Sequence, residues 1–234
     1  MPSPKVKSPA FDSFKNIQSL AIAIGGKDVT NNSKFKHLGL LYRQDNGTIQ
    51  LMHMGWLLTD TLTKVDPNSD YCWIPCENID PTVLDNVADW LETIWSVNNG
   101  KLPYSVSDYD AEPFDASGNL IIKSSYEGFT CSTFVLWVFH QAQLNLINKN
   151  TWQFREDDKK WQTHVINLNK RKNKNKKAEE HFKAQLDNPK LGYRIRPEEV
   201  AGVAAIYSDA PIEFSQAVEL GELVLEGMNV LHKL

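Results

Sequence analysis

The 234-residue sequence predicts an α+β fold, and three stretches carry that reading. Two apolar segments, Lys36–Arg43 and Thr48–Trp56, flank Gln44-Asp45-Asn46-Gly47, the composition of a β-hairpin turn. Asp80-Pro81 opens a run in which Val83, Leu84, Val87, Trp90, Leu91, Ile94 and Trp95 recur at helical spacing. A third run, Phe134–Phe139, is apolar throughout and follows directly behind Cys131. Strands joined by a tight turn pair antiparallel, so the expected sheet is antiparallel, with helices packed against it.

Taken in chain order, residues 1–15 read as a flexible leader. Gln18–Gly26 holds a short apolar run ending in Gly25-Gly26, a strand or a helix end by periodicity alone. Further glycines at phosphate-loop spacing do not follow it. The hairpin admits two registers. A two-residue Asn46-Gly47 turn pairs Asp45 with Thr48 and sets His53 opposite Leu40. A three-residue Asp45-Asn46-Gly47 loop, with Gly47 left-handed, pairs Gln44 with Thr48 and sets His53 opposite Gly39. Side chains alternate across a strand, so only the second register puts His37 and His53 on one face, as diagonal neighbours.

Trp73-Ile74-Pro75 reads as a short extended piece. A carboxylate cap and a proline at the first helical position start a helix over about 80–99, which ends at Asn98-Asn99-Gly100. Residues 101–127 are rich in turn formers, with one strand-like piece at Leu120-Ile121-Ile122. A second helix is expected from Cys131 to about Ile147. Residues 169–177 form a basic, low-complexity run, expected to be a solvated loop or the start of an exposed helix. Pro197-Glu198-Glu199-Val200 opens a further helix, and Pro211 through Met228 a last one. These elements divide into a core at 16–150 and a C-terminal extension at 151–234 packed on it.

A net charge of -4 argues against nucleic acid as the partner. The longest apolar run falls far short of a bilayer span, and Met1–Ser8 does not read as a signal peptide, so a cytosolic protein is expected. Three cysteines do not make a disulfide scaffold. Cys72 and Cys76 are spaced C-x3-C, without the second ligand pair that a structural zinc site needs; they read as buried thiols. Most of the seven tryptophans fall at apolar helix or strand positions and read as core.

Cys131 carries the chemistry. A thiol at a helix N-terminus sits among unpaired N–H groups and the positive end of the helix dipole, which favour the thiolate. The same N–H groups can receive an oxyanion. A cysteine nucleophile needs a base within reach and a group to orient that base. His37 begins a strand beside Gly39, where a neighbouring element can approach closely, and is the first candidate base; His53 is the next. His140 lies nine residues further along the cysteine's own helix, roughly 13 Å away at ~1.5 Å per residue, too far to act.

His37-Leu38-Gly39-Leu40-Leu41-Tyr42 early in the chain and Thr130-Cys131-Ser132-Thr133-Phe134-Val135 late in it resemble the circularly permuted NlpC-type branch of the papain-like superfamily, to which lecithin:retinol acyltransferase-like proteins belong. In that branch the histidine strand precedes the cysteine helix, as here. The resemblance covers roughly 35–56 and 104–140. It implies a papain-like antiparallel sheet packed against the helix carrying Cys131, with His37 as base and a polar third residue on the following strand. That third residue is His53 in the bulged register and Gln50 in the other. The helix over 80–99 is an insertion relative to the family, and the tail from about 150 matches none of its parts.

The reading is a thiol hydrolase (amidase or peptidase) or acyltransferase acting on a peptide or lipid amide or ester through a Cys131 thioester. No cofactor is expected. The rival is a catalytically inactive papain-like binding module. A zinc ion on Cys131, His37 and His53 is a distant third.

Overall fold

The computed structural model describes residues 3–25, 36–55, 62–106, 112–122, 124–172, 175–187 and 192–231. Gly26, Trp56, Asn173 and Lys174, all part of the sequence readings above, lie outside them. Five strands form one antiparallel sheet: β1 (Leu20–Gly25), β2 (His37–Arg43), β3 (Ile49–Met54), β4 (Leu62–Val65) and β5 (Tyr71–Pro75), in the order β4-β3-β2-β1-β5. The described residues also form six α-helices: α1 (Pro81–Asn98), α2 (Cys131–Gln141), α3 (Asp158–Lys172), α4 (Lys176–Asp187), α5 (Pro197–Ile206) and α6 (Phe214–Leu231).

The apolar run before Gly25 is a strand, and its position explains its composition. β1 pairs with β2 on one side and β5 on the other, and all six of its residues are buried. Its even positions, with Leu38, Leu40, Tyr42, Met52, Met54 and Ile74, face a layer built from α1, α2 and α5. Its odd positions, with Leu41, Leu51, Tyr71 and Trp73, form a thinner cluster on the other face, closed by Phe14 and Ile17. The larger cluster continues without a break through Ile195, α5 and α6. Residues 151–234 thus contribute to the same core as the sheet.

The segment read as a flexible leader is tied down over its described part. Lys7 exchanges backbone hydrogen bonds with Trp73 (2.8 and 2.9 Å), extending the sheet edge beyond β5. The Trp73 indole donates to the Asp12 carbonyl at 2.9 Å, and the Lys7 ammonium lies 4.4 Å from the Trp73 ring centre.

Helix α1 starts where the cap was expected, Asp80 accepting from the Thr82 N–H at 2.8 Å, and stops at a left-handed Asn99. Helix α2 ends at Gln141, six residues before the expected Ile147. Gln143 adopts φ 63°, and the Leu144 N–H returns to the Phe139 carbonyl while the Gln143 N–H returns to His140. This paired closure ends a helix even without glycine, which is why the sequence hid it. Leu120-Ile121-Ile122 is not a strand; Leu120 makes one isolated bridge to Phe114.

Over its described residues the basic run belongs to the end of α3 and the start of α4. Lys170, Arg171 and Lys172 close α3, where cations complement the helix dipole, and Asn175 caps α4 through the Ala178 N–H at 2.8 Å. The last helix begins at Phe214 rather than Pro211. Ile212 bridges Ile147 in extended conformation, and the Phe214 N–H donates to Thr151 Oγ1 at 3.0 Å.

Candidate active site

The turn decides what the histidines do. Gln44 N–H donates to the Thr48 carbonyl at 2.9 Å, and Gly47 sits at φ 82°, so the loop is the three-residue, bulged form. Tyr42 then pairs with Gln50 and Gly39 with His53. His37 and His53 share a face, and His37 Nε2 lies 2.9 Å from His53 Nδ1 with the rings edge to face, centres 4.9 Å apart. Gly39 makes room: a Cβ there would stand 3.0 Å from the His53 Cβ and 2.9 Å from Leu51 Cδ1. Gln50, the alternative third residue, points elsewhere and donates to Asp66 at 2.8 Å.

Cys131 is the first residue of α2. Thr130 caps the helix, its hydroxyl accepting from the Thr133 N–H at 3.1 Å while Thr133 Oγ1 accepts from the Thr130 N–H at 2.8 Å. This reciprocal cap consumes the third N–H of the helix and fixes the direction in which Cys131 leaves it. Cys131 and His37 line one small cavity of about 20 Å³, room for a single water. His53 is not in its wall and reaches it through His37. The other walls are Lys36 and Met54, Tyr104 and Thr130, and, from the C-terminal third of the chain, Trp161, Arg194, Ile195 and Pro197.

The electrostatics differ from those expected of an isolated helix-terminal thiol. Burial pushes the Cys131 thiol up; backbone hydrogen bonding from Leu38 and the Arg194 charge pull it back in part. Burial, then the neighbouring His53, pushes His37 down to about 3. Burial also lowers His53, against a backbone hydrogen bond at Met54. The resting pair is therefore a neutral thiol beside a neutral imidazole, because helix-dipole stabilisation does not outweigh removal from water.

With His37 Nε2 engaged by His53, Nδ1 is the ring nitrogen outside that contact. A His37 with its proton on Nε2 donates that proton to His53 Nδ1 and presents Nδ1 as an acceptor. Tyr71 stands 6.3 Å from both imidazole centres and closes the pair from the side; its own hydroxyl is pushed up to about 12, burial being the main cause.

Arg194 was not legible as a site residue. It lies in the extended Gly192–Arg196 segment, far from either motif, and the sequence signals only the proline that follows. Arg194 is 7% exposed, and its guanidinium stacks on Trp161 with Cζ 4.0 Å from the ring centre. His140 holds Asn145 and Glu112 (2.6 and 2.7 Å) on another cavity wall, and the buried His181 holds the Tyr104 carbonyl at 2.7 Å, anchoring α4 to the chain before the cysteine. Cys72 and Cys76 are buried in the core under the sheet. Among the described residues, no group of three or more His, Cys, Asp or Glu is arranged to hold a metal ion, and no helix is long and apolar enough to cross a membrane.

No family model matches this chain, and neither a curated protein nor a solved structure matches it.

Proposed function

We propose that the protein is a thiol hydrolase or acyltransferase with a permuted papain-like arrangement, Cys131 the nucleophile, His37 the base and His53 the residue that orients it. The observation that carries this reading is the 2.9 Å contact between His37 Nε2 and His53 Nδ1, which leaves His37 Nδ1 for the thiol in a cavity that the two residues share. His37 takes the Sγ proton as sulfur attacks the carbonyl of an amide or ester. The C–S bond forms, the carbonyl electrons move to oxygen, and the Cys131 N–H receives the oxyanion. Imidazolium then protonates the leaving amine or alcohol as its bond to carbon breaks. In the second half His37 deprotonates water or an acceptor, which attacks the thioester; sulfur leaves and regains its proton.

The small size of the cavity favours the rival, a binding module on the same shell, since one water's volume admits no acyl group without movement of its walls. 4-Nitrophenyl acetate separates the two. The enzyme gives nitrophenol release together with an acetyl adduct mapped to Cys131, both lost in Cys131→Ala. A folded protein that is never acylated at Cys131 supports the module.

A further inference from the structure

Arg155, Arg194 and Arg196 lie just before α3 and α5, with Arg155 donating to the Arg194 carbonyl at 2.7 Å, and two of the three meet acids. Arg155 pairs with Glu199, and Arg196 with Asp157 at 2.8 Å. Arg194, between them in space and sequence, meets an indole ring instead. The Nε of all three is buried without a hydrogen-bond partner, but among the described residues only Arg194 of the three also lacks an ion pair. A largely buried guanidinium without a counter-ion is costly. Stacking on Trp161 holds its plane but uses none of the in-plane N–H groups.

Arg194 lines two water-sized spaces. One, of about 20 Å³, is shared with Cys131 and His37; the other, also about 20 Å³, is lined by Val106, Thr130, Thr133 and Tyr193. Either holds one oxygen-sized group.

On the reading of Cys131 as a nucleophile, on which this inference rests, we infer that Arg194 is the seat of a substrate carboxylate. The site then selects acyl groups that carry a carboxylate close to the reacting carbonyl. The planar fork matches a carboxylate in geometry and charge, and the neighbouring acids are poor substitutes: Asp158 accepts from the Arg194 backbone N–H at 3.1 Å rather than from the guanidinium. Glu198 is the charge that most favours the guanidinium, yet burial pushes its own carboxyl up. Tyr104 lies in the same wall as Arg194 and borders the same space.

Two alkylating reagents of equal size test this, because they differ only in charge. Iodoacetate carries the carboxylate and iodoacetamide does not. In each, sulfur forms a bond to the methylene carbon, iodide leaves, and the thiol proton passes to His37. The ratio of iodoacetate to iodoacetamide rates at Cys131, read by peptide mass spectrometry, is expected to be about tenfold higher in the wild type than in Arg194→Gln, the size of one charge-assisted hydrogen bond. A second measurement needs no variant: acetate slows iodoacetamide labelling of wild-type Cys131, and chloride at equal ionic strength does not. Labelling by iodoacetamide with an unchanged ratio and no acetate protection overturns the carboxylate seat and leaves the nucleophile standing. Labelling by neither reagent overturns the nucleophile and this inference with it.

Discussion

His53 stands directly opposite Gly39, and that pairing brings its Nδ1 to 2.9 Å from His37 Nε2. The contact depends on one loop residue. With a two-residue turn the register shifts by one, and the two imidazoles point to opposite faces. The left-handed Gly47 is thus what couples the two histidines.

Removing His53 should slow Cys131 without unfolding the protein. His53→Ala is expected to lower the iodoacetamide rate at Cys131 about tenfold or more, since an unoriented imidazole is a weaker base. His53→Asn keeps an acceptor on the same strand and should recover part of the loss. Equal rates in all three proteins would remove His53 from the mechanism.

The two hairpin glycines should fail for different reasons. Gly39→Ala drives a methyl against His53 and Leu51, a steric cost of about 1–3 kcal/mol, and displaces the imidazole as well. Gly47→Ala meets no atom within 4 Å and carries only the strain of its positive φ, about 1 kcal/mol. Urea denaturation measures both, and only Gly39→Ala should also slow Cys131 labelling.

Acid should destabilise the fold through His37. Between its folded value of about 3 and the ordinary 6.5, the unfolded chain binds the His37 proton and the folded protein does not. Stability therefore rises with pH through that window and is lost on acidification, by at most about 1.4 kcal/mol per pH unit for one proton. His53, also lowered, adds the same sign. His37→Gln should flatten the pH dependence of the unfolding free energy between these limits; an unchanged slope would count against a buried neutral His37.

Helices α5 and α6 touch at Gly202, where a Cβ would stand 2.8 Å from the Leu220 Cβ and 2.9 Å from its backbone. Backbone cannot yield as a flexible side chain can. Gly202→Ala should cost about 1–3 kcal/mol in thermal or urea unfolding. A neutral substitution would mean that the C-terminal helices are less tightly joined to the core than they stand here.

Sequence reasoning worked where the signal was local. The Asp80-Pro81 cap, the hairpin and the start of α2 at Cys131 are each specified by a few adjacent residues. It stopped where tertiary contacts decide. Periodicity does not announce a left-handed Gln143, and the end of α2 was overrun. The six-residue run Leu20–Gly25 looks helical or extended until two flanking strands pair with it. Cys131, His37 and His53 could be named because strand, turn and helix signals surround them. Arg194 reaches the cavity from a segment without such a pattern, and burial, which sets the thiol and imidazole pKa values, is a property of the packed whole.

The most direct test is the pH dependence of iodoacetamide alkylation at Cys131 in the wild type and in His37→Ala, with the deeply buried Cys76, pushed up to about 12, as the unreactive reference. With His37 as general base, the wild-type rate should be nearly flat between the His37 value of about 3 and the ordinary thiol value of 9.0, because the neutral pair supplies the thiolate at the moment of attack. In His37→Ala the rate should fall below the wild type and climb about tenfold per pH unit, as for a lone thiol. A wild-type rate that climbs in the same way would contradict the pairing of Cys131 with His37.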